Sequence, residues 1–538
     1  MDQFGFDFRD PRFAFGDWSL SLQLFTFENL YGLDADKLEI RGGDALEVSA
    51  TGLTWAGAQV KSEGTAGLSV NRTDDGIAIT ARATHDRNLR RLKIVLHGLP
   101  NGTIIGRNFD ESPIGNGQIL VYPASAPNTR RIQTPLVFLK TLDGEYIYFR
   151  SVETQMRPKT FAIYRDPLGN GTTVELIHEE LGPRIGRSIE TPVWRVGRTR
   201  DPDTIVKQHV AHFCETFGVT EWHANPSIPD WLKQVGFVAY IHGQHWSGHI
   251  FNDYEDMRIL LHRLADKLDG RRILAHLAGW EGRYYWKYGD YTPDKRMGGP
   301  DGFRRLCDEA HGLGIHIQTM LGGNCANREL PGFGQWGETS YMRRADGGIE
   351  WGNSPDWDTS RAHETAWQAW LNPGAPGWGS HLLAEASALI ETYGVDSIFL
   401  DTDGHWVNDP NYPVYDGFRR LHDALKQRYP NVVLTGEHWS DGMLAISPFT
   451  HDGSLHDMTR FVEHFAPYFR TYPYNSWGDP GRGSSGVFEG GWAEYRATAD
   501  APYVVPGVVF VDGTMDAAPQ AIDSAIAQAK RFIAALPA

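Results

Sequence analysis

The sequence predicts an N-terminal antiparallel β-sandwich followed by a (β/α)8 TIM-type barrel. Three observations predict this order. Residues 1 to about 200 alternate short apolar–polar runs with turn signals, the pattern of many short antiparallel strands. From residue 236 the rhythm changes to strand, loop, helix, as in a parallel sheet covered by helices. The chain has 538 residues, too many for one core. The second part leaves room for a barrel of about 250 residues with insertions.

In the first part, strands are expected at residues 38–41, 76–81, 92–96, 119–122 and 146–149. Turns are expected at Asp74-Asp75-Gly76, Pro100-Asn101-Gly102, Asp143-Gly144 and Gly169-Asn170-Gly171. No catalytic cluster is legible there. A helix follows over residues 203–217, with Ile205, Val206, Val210, Phe213 and Cys214 near helical spacing. The linker Asn225-Pro226-Ser227-Ile228-Pro229 comes next. The expected division is 1–222, sandwich with linker helix, and 223–538, barrel.

In the second part, five strands are expected at 236–242, 272–279, 315–321, 396–400 and 432–435. Helices are expected at 256–268, 300–313, 377–393, 414–429 and 517–536. Later strands leave a weaker trace. The sixth is placed near His456 and Asp457, with candidate segments at 459–465 and around Val487, and the eighth at 504–511.

Composition excludes several classes. Hydrophobic residues at 41% and charged residues at 22% describe a folded globular protein. A net charge of −16 without a basic cluster argues against nucleic acid and anionic membranes as partners. No stretch approaches a membrane span in length. The N-terminus has no basic region followed by an apolar one, and the three cysteines match no metal spacing. A cytoplasmic protein with reduced thiols and no cofactor is the expectation, and a homo-oligomer is left open. The 18 Trp, 21 Tyr and 26 Phe are the outlier, and they suggest stacking platforms for sugar rings, Trp280 and Trp439 above all.

The chemistry is expected at the strand exits, where barrels build their sites. The run Ile398-Phe399-Leu400 stops at Asp401, and Val432-Val433-Leu434 leads through Thr435-Gly436 to Glu437. Glycoside cleavage needs one carboxyl to protonate the leaving oxygen and a second across the anomeric carbon. Asp401 is the expected nucleophile, since a short side chain at a strand tip is rigidly placed. Glu437 is the expected general acid/base, with Trp439 helping to exclude water. One βα unit of 36 residues separates the acids, so adjacent strands could hold the carboxyls at the retaining distance of about 5–5.5 Å. Expected substrate contacts are Trp280, Glu281, Asp290, Asn324, Asp403, His405, His438, Trp439 and Asp457. Asp290 has an alternative role as a loop anchor, His405 and His438 have one as braces for the acids, and Asp403 is expected to support the acids rather than to react. A metal is not expected at Asp401 and Asp403, because the calcium-loop pattern is broken by His405 and Trp406.

These motifs resemble a known group. Residues 299–315, from Gly299-Pro300-Asp301-Gly302-Phe303 to His311-Gly312-Leu313-Gly314-Ile315, resemble the helix-into-third-strand segment of retaining α-glycosidase barrels. Gly394-Val395-Asp396-Ser397-Ile398-Phe399-Leu400-Asp401 resembles their nucleophile strand. Thr435-Gly436-Glu437-His438-Trp439 is similar to the acid strand of the α-amylase superfamily and of α-N-acetylgalactosaminidases. A leading β-sandwich is also found in the α-galactosidase and family 31 groups.

The resemblance implies a divergent retaining α-glycosidase acting on oligosaccharides or glycosides through a glycosyl-aspartate intermediate. The chain departs from the patterns in three ways. Phe399 stands where α-amylases carry Arg. Family 31 and α-galactosidase enzymes take their acid from the sixth strand, which would make Asp457 the acid in place of Glu437. The expected eighth strand also leaves no room for a C-terminal β-domain.

The rival readings are a transglycosylase with the same site, a non-catalytic sugar-binding barrel, and a magnesium-dependent phosphatase. The last rests on Asp401-Thr402-Asp403-Gly404, with His405 where that motif carries Thr.

Overall fold

The computed structural model describes residues 10–123, 130–166, 171–245, 248–283, 285–350, 368–405, 407–451, 460–472, 501–511 and 513–537. Its N-terminal region is rich in antiparallel sheet. The spine is one long strand, Gly76–Leu99, whose early residues alternate between buried and exposed positions. It pairs antiparallel with Trp18–Thr26, Thr65–Thr73, Thr172–Glu179, Gly186–Glu190 and Val193–Thr199. The helix α1 (Pro202–Phe217) follows. The Asp201 carboxylate caps its start by accepting from Thr204 N, and Gly218 ends it at a φ of 68°. Its apolar face, Ile205, Val206, Val210 and Phe213, joins a core shared with Phe138, Trp439, Phe461, Phe465 and Phe469. This core links the sheet region to the barrel.

The barrel strands are β1 (Phe237–His242), β2 (Ile273–Ala278), β3 (His316–Gly322), β4 (Ser397–Asp401), β5 (Val433–Gly436), β6 (Phe449–His451), β7 (Arg470–Tyr472) and β8 (Gly507–Phe510). They form one sheet in the order β8-β1-β2-β3-β4-β5-β6-β7, with every pairing parallel. A parallel bridge from Thr471 to Val504 brings the approach to β8 beside β7, so the ring is nearly closed. The helices α2 (Tyr254–Ala265), α3 (Gly299–Gly312), α4 (Pro376–Tyr393) and α5 (Val414–Arg428) follow β1 to β4 in turn, and α6 (Pro519–Ala534) follows β8.

The first five strands lie within two residues of their expected positions. The sixth and seventh do not. β6 ends at His451, ahead of the expected 456–457, and residues expected as a strand at 459–465 include the 3-10 turn Val462–His464. Both strands are only three residues long and contain Thr450, His451, Arg470 and Thr471. Runs so short and polar carry no apolar pattern. His456, Asp457, Val487 and Asp512 lie outside the described residues.

The barrel interior contains a hydrogen-bonded polar layer. The Tyr472 hydroxyl lies 2.6 Å from His276 Nδ1 and accepts from Gln318 Nε2 at 2.9 Å. Gln318 Oε1 accepts from Ser397 Oγ at 2.8 Å and from Thr435 Oγ1 at 3.0 Å. The layer ties β2, β3, β4, β5 and β7 together. His276 Nε2 has no partner among the described residues, but the bonds that are made join five strands and favour one arrangement of them. The strand ends above it therefore have a defined register.

Candidate active site

β4 ends at Asp401 and β5 at Gly436, with Glu437 next. The parallel register pairs Leu400 with Gly436, so Asp401 and Glu437 stand level on neighbouring strands. Asp401 is buried, and its Oδ2 accepts the Tyr288 hydroxyl at 2.7 Å. Burial pushes its carboxyl up to about 6, against the pull of the Tyr288 and Thr402 donors. Thr402 takes a φ of 63°, a strained conformation for a β-branched residue. That turn aims its N–H at Glu437 Oε2, 2.9 Å away. Its hydroxyl donates to Asn324 Oδ1 at 2.6 Å.

The Glu437 side chain retains 29% exposure, so it reaches the mouth of the barrel. Burial of its surroundings, then the negative charges of Asp401 and Asp403, hold its carboxyl well above the usual range. His438 Nε2 lies 3.5 Å from Glu437 Oε2, and burial and the Arg131 charge keep the imidazole neutral. Asp403 is buried. Its Oδ1 accepts the backbone N–H groups of Glu437 at 3.2 Å and His438 at 3.1 Å. Its Oδ2 has no hydrogen-bond partner among the described residues, and burial raises the group to about 8.

Glu281, three residues past the end of β2, has 0% exposure and no hydrogen-bond partner for either oxygen among the described residues. Burial raises it to about 8, with the Asp401 charge adding to the effect. An orphaned buried carboxyl is rare and calls for an explanation such as a ligand.

Other expected contacts are occupied within the protein. Trp280 has 0% exposure, stacks on Phe303 at 4.8 Å and donates from Nε1 to Met320 O. Trp439 has 1% exposure and stacks on Phe469 at 5.2 Å. Neither ring offers a face to a sugar, so the stacking expectation is corrected for both. They lie on the packed side of their loops, facing helix and inter-region core. Asn324 is fully buried, and its amide donates to His405 O while accepting from Thr402. It therefore braces the loop after β4. Asp290 accepts from Lys287 Nζ at 2.7 Å and from Thr292 N. These donors outweigh its burial and hold it below the usual range, as in its alternative role of loop anchor. His405 lies nearer the mouth. It stacks on Trp370 at 3.9 Å, with Nε2 3.7 Å from Glu350 Oε1.

Two residues of the site have no obvious signal in the sequence. Tyr288 comes from the long loop after β2, whose run Tyr284-Tyr285-Trp286-Lys287-Tyr288 was the only hint. Arg131 comes from the N-terminal region, and its Nη1 donates to Gly404 O at 2.8 Å. The sheet region, where no catalytic cluster is legible in the sequence, thus contributes this one contact to the loop after β4. Among the described residues no group of three or more His, Cys, Asp or Glu could hold a metal ion. None of the described helices is long and apolar enough to cross a membrane.

The arrangement can be set beside known proteins. No family model matches the chain. A 224-residue stretch is 26% identical to the 1,4-α-glucan branching enzyme of Burkholderia cenocepacia, over 36% of this chain and 28% of that enzyme. The branching enzyme of Xanthomonas campestris pv. campestris is 24% identical over 215 residues, 35% and 28% of the two chains. The matches thus span under a third of these relatives' length. Solved structures match far more of it. The α-N-acetylgalactosaminidase NagBb of Bifidobacterium bifidum superposes with a TM-score of 0.65 at 15% identity, over 97% of this chain and 93% of that one. The α-galactosidase of Lactobacillus brevis gives 0.55 at 15% identity, over 98% and 73%. The fold is the one these glycoside hydrolases share.

Proposed function

We propose that this chain is a retaining glycoside hydrolase acting on α-linked oligosaccharides or glycosides, with Asp401 as nucleophile and Glu437 as general acid/base. The observation that carries the proposal is the level register of the two acids on adjacent strands. Strands lie about 4.7–4.9 Å apart, close to the separation of about 5–5.5 Å that retaining enzymes use. Their environments also divide the roles. Asp401, raised only to about 6, is mostly ionised at neutral pH, whereas Glu437 keeps its proton.

In the first step one Asp401 oxygen attacks the anomeric carbon while Tyr288 holds the other. The bond to the leaving oxygen breaks, and the Glu437 proton passes to that oxygen. In the second step Glu437, now ionised, takes a proton from water, whose oxygen attacks the anomeric carbon and releases Asp401. Glu281 and Asp403 Oδ2, buried and without partners among the described residues, would bond sugar hydroxyls. His405 and His438 would line the mouth. Asp457, outside the described residues, is the alternative acid.

The named activities of the similar proteins all concern α-linkages. The branching enzymes also support a second reading, transfer of the glycosyl unit to another sugar. The residue ranges 1–222 and 223–538 are our proposed domains. A reducing compartment such as the cytoplasm suits the three free cysteines.

The test is a screen of nitrophenyl α- and β-glycosides, starting with α-galactoside and α-N-acetylgalactosaminide, with NMR of the first-formed product. Retention is expected, with a 2-fluoro glycosyl label on the peptide containing Asp401. A first product of inverted configuration would overturn the assignment of Asp401. Adding free sugar acceptors separates hydrolysis from transfer.

A further inference from the structure

The N-terminal region makes contact with both loops that carry the proposed catalytic acids. Its short strand Arg130–Arg131 runs parallel to Gln118–Tyr122. The next residues reach the loop after β5. Asp441 N donates to Gln133 O at 2.9 Å, and the Asp441 carboxylate accepts from Thr134 Oγ1 at 2.7 Å and from the Tyr122 hydroxyl at 2.5 Å. Asp441 stands four residues past Glu437. On the other side, the bond from Arg131 to Gly404 O holds the loop after β4, one residue past Asp403.

Gly404 shows how close this approach is. A Cβ there would lie 2.1 Å from Arg131 Nη1 and 2.2 Å from His438 Cδ2. Only a residue without a side chain lets the guanidinium and the imidazole close on the same turn. The charge of Arg131 is felt by Asp403 and Glu437, whose burial-raised carboxyls it pulls down, and by His405 and His438, which burial first and then this charge keep neutral. Other charged or titratable groups bearing on this cluster, among the described residues, include Asp401 from β4, Cys325 and Tyr288 beside it, Arg107 from the sheet region, His451 from β6, and Glu350 beside His405.

We infer that Arg131 is a positioning residue of the active site, clamping the 402–405 turn and presenting a fixed positive charge to Asp403 and Glu437 across Gly404. The inference rests on the catalytic reading of those two acids. It makes the N-terminal region part of the catalytic apparatus. The segment 131–134 holds the nucleophile's loop and the acid's loop in one frame. Arg suits the role because it stays charged and its planar fork fixes direction.

The experiment uses the full chain with Arg131→Met and Arg131→Lys. For a glycoside that the parent turns over, Arg131→Met is expected to lower kcat by about 10- to 100-fold, with KM changing far less. The alkaline limb of its pH profile should move to higher pH, because loss of the cation raises the carboxyls. Arg131→Lys should restore the limb but only part of kcat.

A second measurement needs no turnover. Removing Arg131 lets the folded state hold carboxyl protons to higher pH. The Tm deficit of Arg131→Met should therefore widen between pH 6 and 9, and stop widening when Asp403→Asn and Glu437→Gln are added. A Tm deficit independent of pH and unchanged by those substitutions would reduce Arg131 to a structural pin and overturn the inference. If no glycoside is turned over but the pH-linked deficit appears, the glycosidase reading fails while the clamp and its charge stand.

Discussion

Two carboxyl groups of the sheet region and four at the barrel's strand exits are buried in opposite ways. In the sheet region, Glu153 accepts from Lys159 Nζ at 2.8 Å and from Arg157 Nε at 3.0 Å. Glu179 accepts from Arg90 and Arg91 at 3.0 and 2.5 Å and from Asn408 at 2.8 Å. Burial opposes their charge, but the cations outweigh it and both carboxyls fall below the usual range. In the barrel mouth, Glu281, Asp401, Asp403 and Glu437 are raised instead. The difference is the supply of cations. Carboxylates matched with cations hold a fold together, while carboxyls left short of partners keep protons and free valences that chemistry can use.

The sharpest way to break the comparison is Asp401→Asn. It should lower kcat by about 10^4-fold or more while leaving the Tm close to the parent's. Equal activity would return Asp401 to a structural role. Glu437→Gln comes next, at about 10^2- to 10^4-fold on poor leaving groups and much less on activated ones that need no proton. In the parent, kcat/KM should rise through about pH 6 as Asp401 ionises, and fall at higher pH as Glu437 loses its proton. A flat profile would show that the two environments do not divide the roles.

The sheet region should respond in stability, not in chemistry. Glu153→Gln leaves Lys159 fully buried without its carboxylate and should cost about 3–5 kcal/mol in denaturant unfolding. The folded-state value of Glu153 is depressed. Its contribution is therefore full above the unfolded value of about 4.3 and disappears as pH falls through the depressed one. Glu281→Gln is the smallest effect and has the opposite sign. Glu281 stays protonated up to about 8 in the folded state, so its burden grows as pH rises from the unfolded value toward 8. The variant should melt about 1–3 °C higher than the parent at pH 8, and the gain should shrink by pH 5. A loss of stability would mean that Glu281 has a partner among residues not described.

Much of the barrel was legible because its first five strands are largely apolar runs with a helix between each consecutive pair. β6 and β7 were lost for the converse reason: three residues with Thr, His or Arg among them carry no apolar signature. Asp401 and Glu437 were visible because each is the first ionisable residue after a buried run. Trp280 and Trp439 were misread because a sequence shows that a Trp lies near a strand end but not which side of the loop it faces. Asn324 and Asp290 face the same problem, since a polar side chain bonds loop backbone as readily as ligand.

The sequence alone determined the order of the two folds and the two strand ends where the acids stand, because periodicity and the end of an apolar run are local properties. The tertiary structure decided the rest. It set Asp401 level with Glu437, left Glu281 without a partner among the described residues, brought Tyr288 onto Asp401, and carried Arg131 across from residues some 270 positions away. Those relations depend on strand register, burial and inter-region packing, and none of these exists until the chain has closed on itself.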